Sequence, residues 1–248
     1  MTEWIKQVRK DFSIAVAFLT RLPVPPLGTV DAATLGRSAL YYPGVGLLIG
    51  ALLCTPVMLF PSANPLLLSA LLVALWAMIT GGLHLDGLAD SADAWLGGQG
   101  DQAKTHRILK DPLVGSAGVV ATVAVMLLRF AALFVLIEQS NELTILLAPV
   151  LGRCVALVLF ITTRYVRHNG LGSAISDFLP VTPALGVCVL SLLIGALVSW
   201  WGVLFMVVGT FLLRRLMIQR LQGCTGDTIG ASIELGEVFW LLGAALAL

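Results

Sequence analysis

Three aspartates between residues 86 and 93 are the residues of this sequence best suited to hold a metal ion. Asp86, Asp90 and Asp93 follow an i, i+4, i+7 spacing, which on an α-helix places them on one face, within about 40° of one another. Like charges at this spacing repel, so a cation is their natural compensation. Oxygen ligands favour a hard ion, and we therefore expect Mg²⁺ rather than Zn²⁺. The competing interpretation is a solvated acidic face, which apolar neighbours such as Leu88 and Trp95 disfavour.

A second group of acids lies near the end of the chain. Asp227 and Glu234 are seven residues apart and Glu237 follows one turn later, so one side of a helix would carry all three. Carboxylates in an apolar helix are costly and are functional candidates by default. Asp227 and Glu234 are therefore candidate metal ligands, and the two acidic groups together would suit a two-metal phosphoryl-transfer site. The alternative for the glutamates is pairing with Arg129 and Arg153, which also lie in apolar segments.

Basic residues follow the first acidic group closely. Lys104, Arg107 and Lys110 are candidates for binding phosphate oxygens beside a metal, and Arg21 is a weaker candidate for the same role. Residues 112–118 lead into the next apolar segment, and the small residues Gly115–Gly118 among them would let backbone N–H groups of a helix start approach an anion. The alternative is that these basic residues only anchor the cytoplasmic side of a membrane protein.

The composition is that of a membrane protein. The 248 residues are 58% hydrophobic and 12% charged, with a mean hydropathy of +0.96, whereas soluble domains are about a quarter charged. No charged residue occurs from Ser38 to Leu83 or from Phe178 to Leu213, and about 20 apolar residues suffice to span a bilayer. The net charge of +1 gives no support to nucleic-acid binding driven by bulk positive charge. The four widely spaced cysteines form no CxxC pair for zinc or redox work.

The apolar segments predict an all-α polytopic bundle of about seven membrane-spanning helices. Residues 1–37 precede the bundle as a cytoplasmic segment with an interfacial helix and an extended loop. The predicted spans cover 38–60, 66–83, 113–137, 143–163, two helices that divide near 199–202, and 228–248. With the N-terminus in the cytoplasm, every Lys and Arg except Arg129 and Arg153 falls in a cytoplasmic segment, as the positive-inside rule requires.

The chain is predicted to form one integral membrane catalytic domain over residues 1–248. Its Asp-rich active-site segment, residues 84–112, lies on the cytoplasmic side. Gly46 and Gly50 in the first span have the spacing of a close helix contact, although glycine is also ordinary in membrane helices. The sequence leaves these two interpretations open.

Four parts of the sequence form a recognisable set: Phe18–Pro25, His84–Ala94, Lys110–Pro112 with Gly115–Gly118, and Gly223–Thr228. Together they resemble the cobalamin synthases, the adenosylcobinamide-GDP ribazoletransferases of vitamin B12 assembly. The resemblance covers essentially the whole chain in order, and its most specific motif is His84–Ala94.

The resemblance implies a Mg²⁺-dependent transferase of the cell inner membrane. It would join α-ribazole, or its 5′-phosphate, to adenosylcobinamide-GDP and release GMP. Asp86, Asp90 and Asp93 would hold Mg²⁺ on the pyrophosphate, and one of them or Asp227 would be the general base. The bulky corrinoid leads us to expect a wide cavity open to the cytoplasm. A homo-oligomer and association with other late cobalamin-assembly enzymes stay open.

Two other functions compete with this one. A CDP-alcohol phosphotransferase also uses an Asp-rich helix and a divalent metal, but this sequence lacks the Ala-Arg after Asp86-Gly87 and the later paired aspartates of that family. A transporter would explain acids and arginines inside spans. It would not explain an aspartate triad in a polar segment beside basic residues.

Overall fold

The computed structural model describes residues 2–167 and 170–248, which fold into an all-α bundle, as the composition predicted. Within these residues there are twelve α-helices. They are α1 (Thr2–Leu19), α2 (Ala32–Ser38), α3 (Tyr42–Leu59), α4 (Pro65–Thr80), α5 (Leu83–Gly98), α6 (Gln102–Ile108), α7 (Ser116–Glu138), α8 (Glu142–Thr162), α9 (Leu171–Phe178), α10 (Val181–Val198), α11 (Trp200–Leu221) and α12 (Gly226–Ala245).

Each of the seven predicted spans corresponds to a helix of the bundle. Six helical stretches in the described part are long and apolar enough to cross a membrane: α2 running into α3, and α7, α8, α10, α11 and α12. The seventh, α4, has 16 residues and rises only about 24 Å, less than the roughly 30 Å of a hydrocarbon core. It meets the same criterion only together with α5, across a bend of 91°.

The bend between α4 and α5 is built from two glycines. Gly81 and Gly82 have φ values of +64° and +70°, a left-handed conformation that glycine adopts without steric cost. The Arg21 backbone N–H donates to the Ile79 carbonyl oxygen at 2.7 Å and ties the loop after α1 to this corner. A helix turned by 91° cannot continue in the direction of a span, so α5 lies outside the membrane-spanning set.

Two helices form the centre of the bundle. In α8 and α12 the most apolar 18-residue windows are 83% and 78% buried, against 17% and 28% in α10 and α11. The peripheral helices therefore present the apolar faces that suit contact with lipid. Gly46 and Gly50 of α3 lie directly against the α8 backbone at Pro149 and Leu146, which confirms the close-packing interpretation of their spacing.

The segments around the spans differ from the prediction in detail. The helix of the first span begins at Ala32 instead of Ser38, because Asp31 accepts a hydrogen bond from the Thr34 backbone N–H at 2.6 Å and caps it. The short helix α9 was not predicted, since eight residues give little periodic signal. The predicted N-terminal helix appears as α1 and is followed by non-helical chain to Asp31, as expected. Its position at the membrane interface stays a prediction.

Candidate functional site

The candidate site lies where α5 crosses the start of α12. Gly87 of α5 lies against the Asp227 backbone, and Gly230 of α12 lies against the His84 backbone. A Cβ at Gly87 would lie 2.6 Å from the Asp227 carbonyl oxygen and would force the two helices apart, whereas a Cβ at Gly230 would make only ordinary contact with His84. Their close approach brings Asp86 and Asp90 beside Asp227, and we call these three residues the carboxylate cluster. The two acidic groups that the sequence placed far apart therefore meet through Asp227.

The carboxylate cluster carries more negative charge than its surroundings compensate. Burial raises the pKa of Asp90 to about 6, and the charges of Asp86 and Asp227 add to that rise. Arg167 acts in the opposite direction. Asp86 is exposed and Asp90 is half-buried, so the cluster is open to a ligand from solution. A cation at this position would relieve the repulsion.

Arg167 is a site residue that the sequence placed only among the cytoplasmic basic residues. Its Nη2 lies 2.6 Å from Oδ2 of Asp227. Two loops hold it there by pairing: the Val166 N–H donates to the Cys224 carbonyl at 3.0 Å, and the Cys224 N–H donates to the Arg164 carbonyl at 2.8 Å. These loops are far apart in sequence, so no local pattern could have revealed this contact.

Among the described residues, the carboxylate cluster does not pair with the four predicted phosphate-binding residues, Lys104, Arg107, Lys110 and Arg21. Arg107 and Lys110 are exposed on the α6 side, and the Arg21 side chain lies against the glycine corner between α4 and α5. Their predicted roles stay predictions.

Lys110 and Arg167 act on the same histidine, His106. Burial lowers the pKa of His106 in α6, and the charges of Lys110 and Arg167 lower it further. Lys110 and Arg167 therefore both lie near His106. An electropositive edge thus borders the carboxylate cluster on the α6 side.

Asp93 has a structural role that differs from the role of the other aspartates of α5. Its two carboxylate oxygens accept hydrogen bonds from the backbone N–H groups of Gly115, at 2.7 Å, and Gly118, at 2.9 Å. Asp93 thus caps the N-terminus of α7 from another helix. The helix start that we expected to face a phosphate is occupied by a carboxylate of the chain itself, and we leave Asp93 out of the proposed metal set.

Glu234 and Glu237 form a buried ionic cluster with Arg129 and Arg153. Nη2 of Arg129 lies 2.6 Å from Oε2 of Glu234 and 2.8 Å from Oε2 of Glu237, and Nη1 of Arg153 bonds Oε1 of Glu237. All four side chains are at most 2% exposed. The pairing alternative is therefore the arrangement found. Because Arg129 neutralises Glu234, we also leave Glu234 out of the metal set.

The buried ionic cluster is enclosed by further side chains. The Arg129 guanidinium stacks on Trp76 at 4.3 Å from the ring centroid. Nδ1 of His84 lies 4.0 Å from Oε1 of Glu234, which is too far for a hydrogen bond. His84 therefore stands between the buried ionic cluster and the carboxylate cluster.

A cavity of about 180 Å³ opens beside Asp86 and Asp227, between α1, α3, α5, α8 and α12. It is smaller than the wide cavity that a corrinoid led us to expect. Across residues 2–167 and 170–248, no three His, Cys, Asp or Glu side chains are arranged to hold a metal ion by themselves. The four cysteines are buried free thiols, in agreement with the sequence.

Comparison with known proteins shows the family of this chain. The model of the cobalamin-5-phosphate synthase family matches residues 11–245. The chain belongs to this family. It is 50% identical over 236 residues to the adenosylcobinamide-GDP ribazoletransferase of Stutzerimonas stutzeri (strain A1501), covering 94% of this chain and 96% of that protein.

Other relatives carry the same description. The protein of Pseudomonas fluorescens (strain SBW25) is 49% identical over 239 residues, which cover 95% of this chain and 99% of the relative. That of Acinetobacter baumannii (strain ACICU) is 46% identical over 229 residues, which cover 91% and 93%. No solved structure matches this chain.

Proposed function

We propose that this protein is a Mg²⁺-dependent adenosylcobinamide-GDP ribazoletransferase. It joins α-ribazole, or its 5′-phosphate, to adenosylcobinamide-GDP and releases GMP. The observation that carries the proposal is the α5–α12 crossing, which brings Asp86 and Asp90 beside Asp227. Relatives that are about 50% identical to this chain carry the name of this activity, which supports the proposal.

The carboxylate cluster fits Mg²⁺ on the chemistry of its donors. Its ligands are all oxygens, and the raised pKa of Asp90 reflects uncompensated negative charge. Mg²⁺ usually takes one or two carboxylates and completes its shell with water and substrate phosphates. A cage of three protein ligands is therefore not required. When bound, the ion would neutralise charge on the pyrophosphate as GMP leaves.

The side chains of the chain supply orientation and proton transfer. Arg167, held beside Asp227, can bind a phosphate oxygen with the donors that it does not use on that carboxylate. A ribose hydroxyl of the ribazole attacks the phosphorus that carries the cobinamide, a new O–P bond forms, and the O–P bond to GMP breaks. The hydroxyl proton goes to a carboxylate of the cluster. Asp90 is best suited, because its pKa of about 6 lies near neutral pH.

The protein resides, in this proposal, in the inner membrane with the carboxylate cluster facing the cytoplasm. The distribution of Lys and Arg on one side of the seven helices supports this orientation. In intact cells, Asn141→Cys should react with an impermeant thiol reagent, whereas Gln99→Cys should react only after the membrane is opened. Labelling of Gln99→Cys from outside would overturn the orientation.

The activity is tested on the purified protein in lipid nanodiscs. With adenosylcobinamide-GDP and α-ribazole, GMP should appear with Mg²⁺ and stop when the metal is chelated. The transporter alternative predicts solute flux in liposomes without GMP release. Its main support was the acids and arginines inside the spans, and these pair with one another in the buried ionic cluster. Absence of GMP release under all these conditions would remove the proposed activity.

A further inference from the structure

The cavity beside the carboxylate cluster has walls that suit a flat aromatic ligand. Its lining includes Phe18, Phe160, Ile229 and Ile233, and Asp86 and Asp227 lie at its edge. Apolar cavities of about 150 Å³ accommodate a benzene ring, and this one measures about 180 Å³. A ligand there would bury an aromatic end and keep its polar end at the carboxylates.

Two polar side chains in the cavity wall lack partners. The Tyr42 hydroxyl and Nδ1 of His84 are buried and have no hydrogen-bond partner among the described residues. Tyr42 is 1% exposed and His84 is 4% exposed. Buried polar atoms are nearly always hydrogen-bonded. Nδ1 of His84 faces Glu234 at 4.0 Å, so it is the Tyr42 hydroxyl that points to a ligand with a matching polar atom.

The Tyr42 ring is already held in place for such a ligand. It stacks on Phe18 with centroids 5.9 Å apart and planes at 11°. Its hydroxyl can donate to a ring nitrogen that carries a lone pair. One flat ring system with one acceptor nitrogen would satisfy this group while contacting the apolar walls.

The substrates of the proposed reaction differ in how well they meet these demands. A corrinoid is far too large for about 180 Å³. Guanine presents carbonyl and amino groups on its edges, which would lose their hydrogen bonds against the apolar walls. A ribazole is a ribosylated azole: one ring nitrogen bears the ribose and the other is a bare acceptor. Its base is the part that fits.

We propose that this cavity is the subsite for the azole base of the ribazole substrate, with Tyr42 donating a hydrogen bond to the free ring nitrogen. The assignment rests on the proposed transferase function. It places the ribose at the mouth of the cavity, beside Asp86 and Asp227. Burial of the base in the cavity then positions the attacking hydroxyl at the carboxylates, where the phosphate chemistry takes place.

The test compares two adjacent tyrosines in the full-length protein. Tyr42→Phe removes the orphan hydroxyl and keeps the stacking ring. Tyr41→Phe is the matched control, because Tyr41 packs edge-on against Phe12 outside the cavity lining. Binding of α-ribazole and of benzimidazole is measured by calorimetry. We expect roughly 5–10-fold weaker binding of both probes to Tyr42→Phe, the range for one lost hydrogen bond, and parental binding to Tyr41→Phe.

Kinetics and a cavity-filling variant give independent readouts. In Tyr42→Phe the KM for α-ribazole should rise while the KM for adenosylcobinamide-GDP and kcat stay near the parental values. Ala156→Val adds two methyl groups to the cavity wall and should weaken the binding of both α-ribazole and benzimidazole. Benzimidazole should raise the melting temperature of the parent more than that of either variant, and the same melts report whether each variant is folded.

The outcomes separate this subsite from the proposed activity. Parental affinity of Tyr42→Phe and Ala156→Val for α-ribazole, in folded protein, would overturn the subsite even if GMP release is normal. Failure of both probes to bind the parent would also overturn it. Competition by adenosine at the same site would assign the cavity to an adenosyl group instead and overturn it. Tyr42-dependent ribazole binding without GMP release would support the subsite and remove the transferase activity.

Discussion

The two charged clusters of this protein share helix α12 but differ in charge balance and exposure. The buried ionic cluster pairs two arginines with two glutamates and excludes solvent. The carboxylate cluster sets three acids against Arg167 and is partly open. Asp227 and Glu234 belong to different clusters although only seven residues separate them on one helix.

This difference separates structural from functional charge. A balanced, dry cluster has no surplus charge for a ligand to neutralise, and its members depend on one another. An unbalanced cluster at the edge of a cavity gains stability when a cation binds. A carboxylate therefore connects two helices at Glu234 and is a candidate metal ligand at Asp227. Four predictions test this distinction, from the largest expected effect to the smallest.

Breaking the buried ionic cluster should destabilise the fold most. Arg129→Met leaves Glu234 and Glu237 to share Arg153, and removing one partner of a buried pair costs about 3–5 kcal/mol. Thermal melting of purified protein and the amount inserted in membranes measure the loss. Adding Glu234→Gln restores the charge balance and should recover part of the stability. A single variant that melts at the parental temperature would contradict a structural role for this cluster.

Neutralising the carboxylate cluster should abolish activity without unfolding. We expect Asp90→Asn to lower GMP release by about 10²–10³-fold, the range for loss of one electrostatic group in an active site. Its melting temperature should equal or exceed that of the parent, because repulsion with Asp86 and Asp227 is relieved.

The matched control for Asp90→Asn is Asp31→Asn. Asp31 is exposed, lies outside the active-site segment and accepts a hydrogen bond from the Thr34 N–H, which asparagine can keep. Its turnover should be parental. Near-normal turnover in Asp90→Asn would mean that the cluster is only a solvated acidic face.

The affinity for Mg²⁺ should depend on pH through the carboxylate cluster. The pKa of Asp90 is raised to about 6, so below that pH a proton occupies the carboxylate that would attract the ion. The apparent affinity should therefore be lost as pH falls through 6, by up to about tenfold per pH unit. Titration of Mg²⁺ between pH 5 and 8 measures it. The same pH profile in Asp90→Asn would show that another group is responsible.

Asp93 should behave as a cap and not as a metal ligand. Asp93→Ala removes the acceptor of the Gly115 and Gly118 N–H groups and should cost about 0.5–2 kcal/mol of stability, as at other helix N-termini. The Mg²⁺ dependence of the remaining activity should be unchanged. A weaker Mg²⁺ affinity at parental stability would return Asp93 to the metal set.

Local patterns were enough to predict the membrane architecture. Uncharged stretches of sequence predicted the helices. A span in lipid must satisfy its backbone hydrogen bonds within itself, so its formation depends on consecutive residues. The break between the predicted spans 38–60 and 66–83 is also correct, since Asn64 caps the start of α4 there. The helical spacing of the first three aspartates was also correct, because α5 is a continuous helix over Leu83–Gly98.

Sequence alone determined the fold class, the number of apolar helices and the family motifs. Only the tertiary structure decided which charged residues meet. Asp227 joins Asp86 and Asp90 because Gly87 lets two helices cross closely. The Asp93 carboxylate accepts hydrogen bonds from the start of α7. Arg167 lies beside Asp227 because the two loops that precede these residues pair with each other. The physical reason is that a charge's role depends on its partners in space, whereas helix formation depends mainly on its neighbours in the chain.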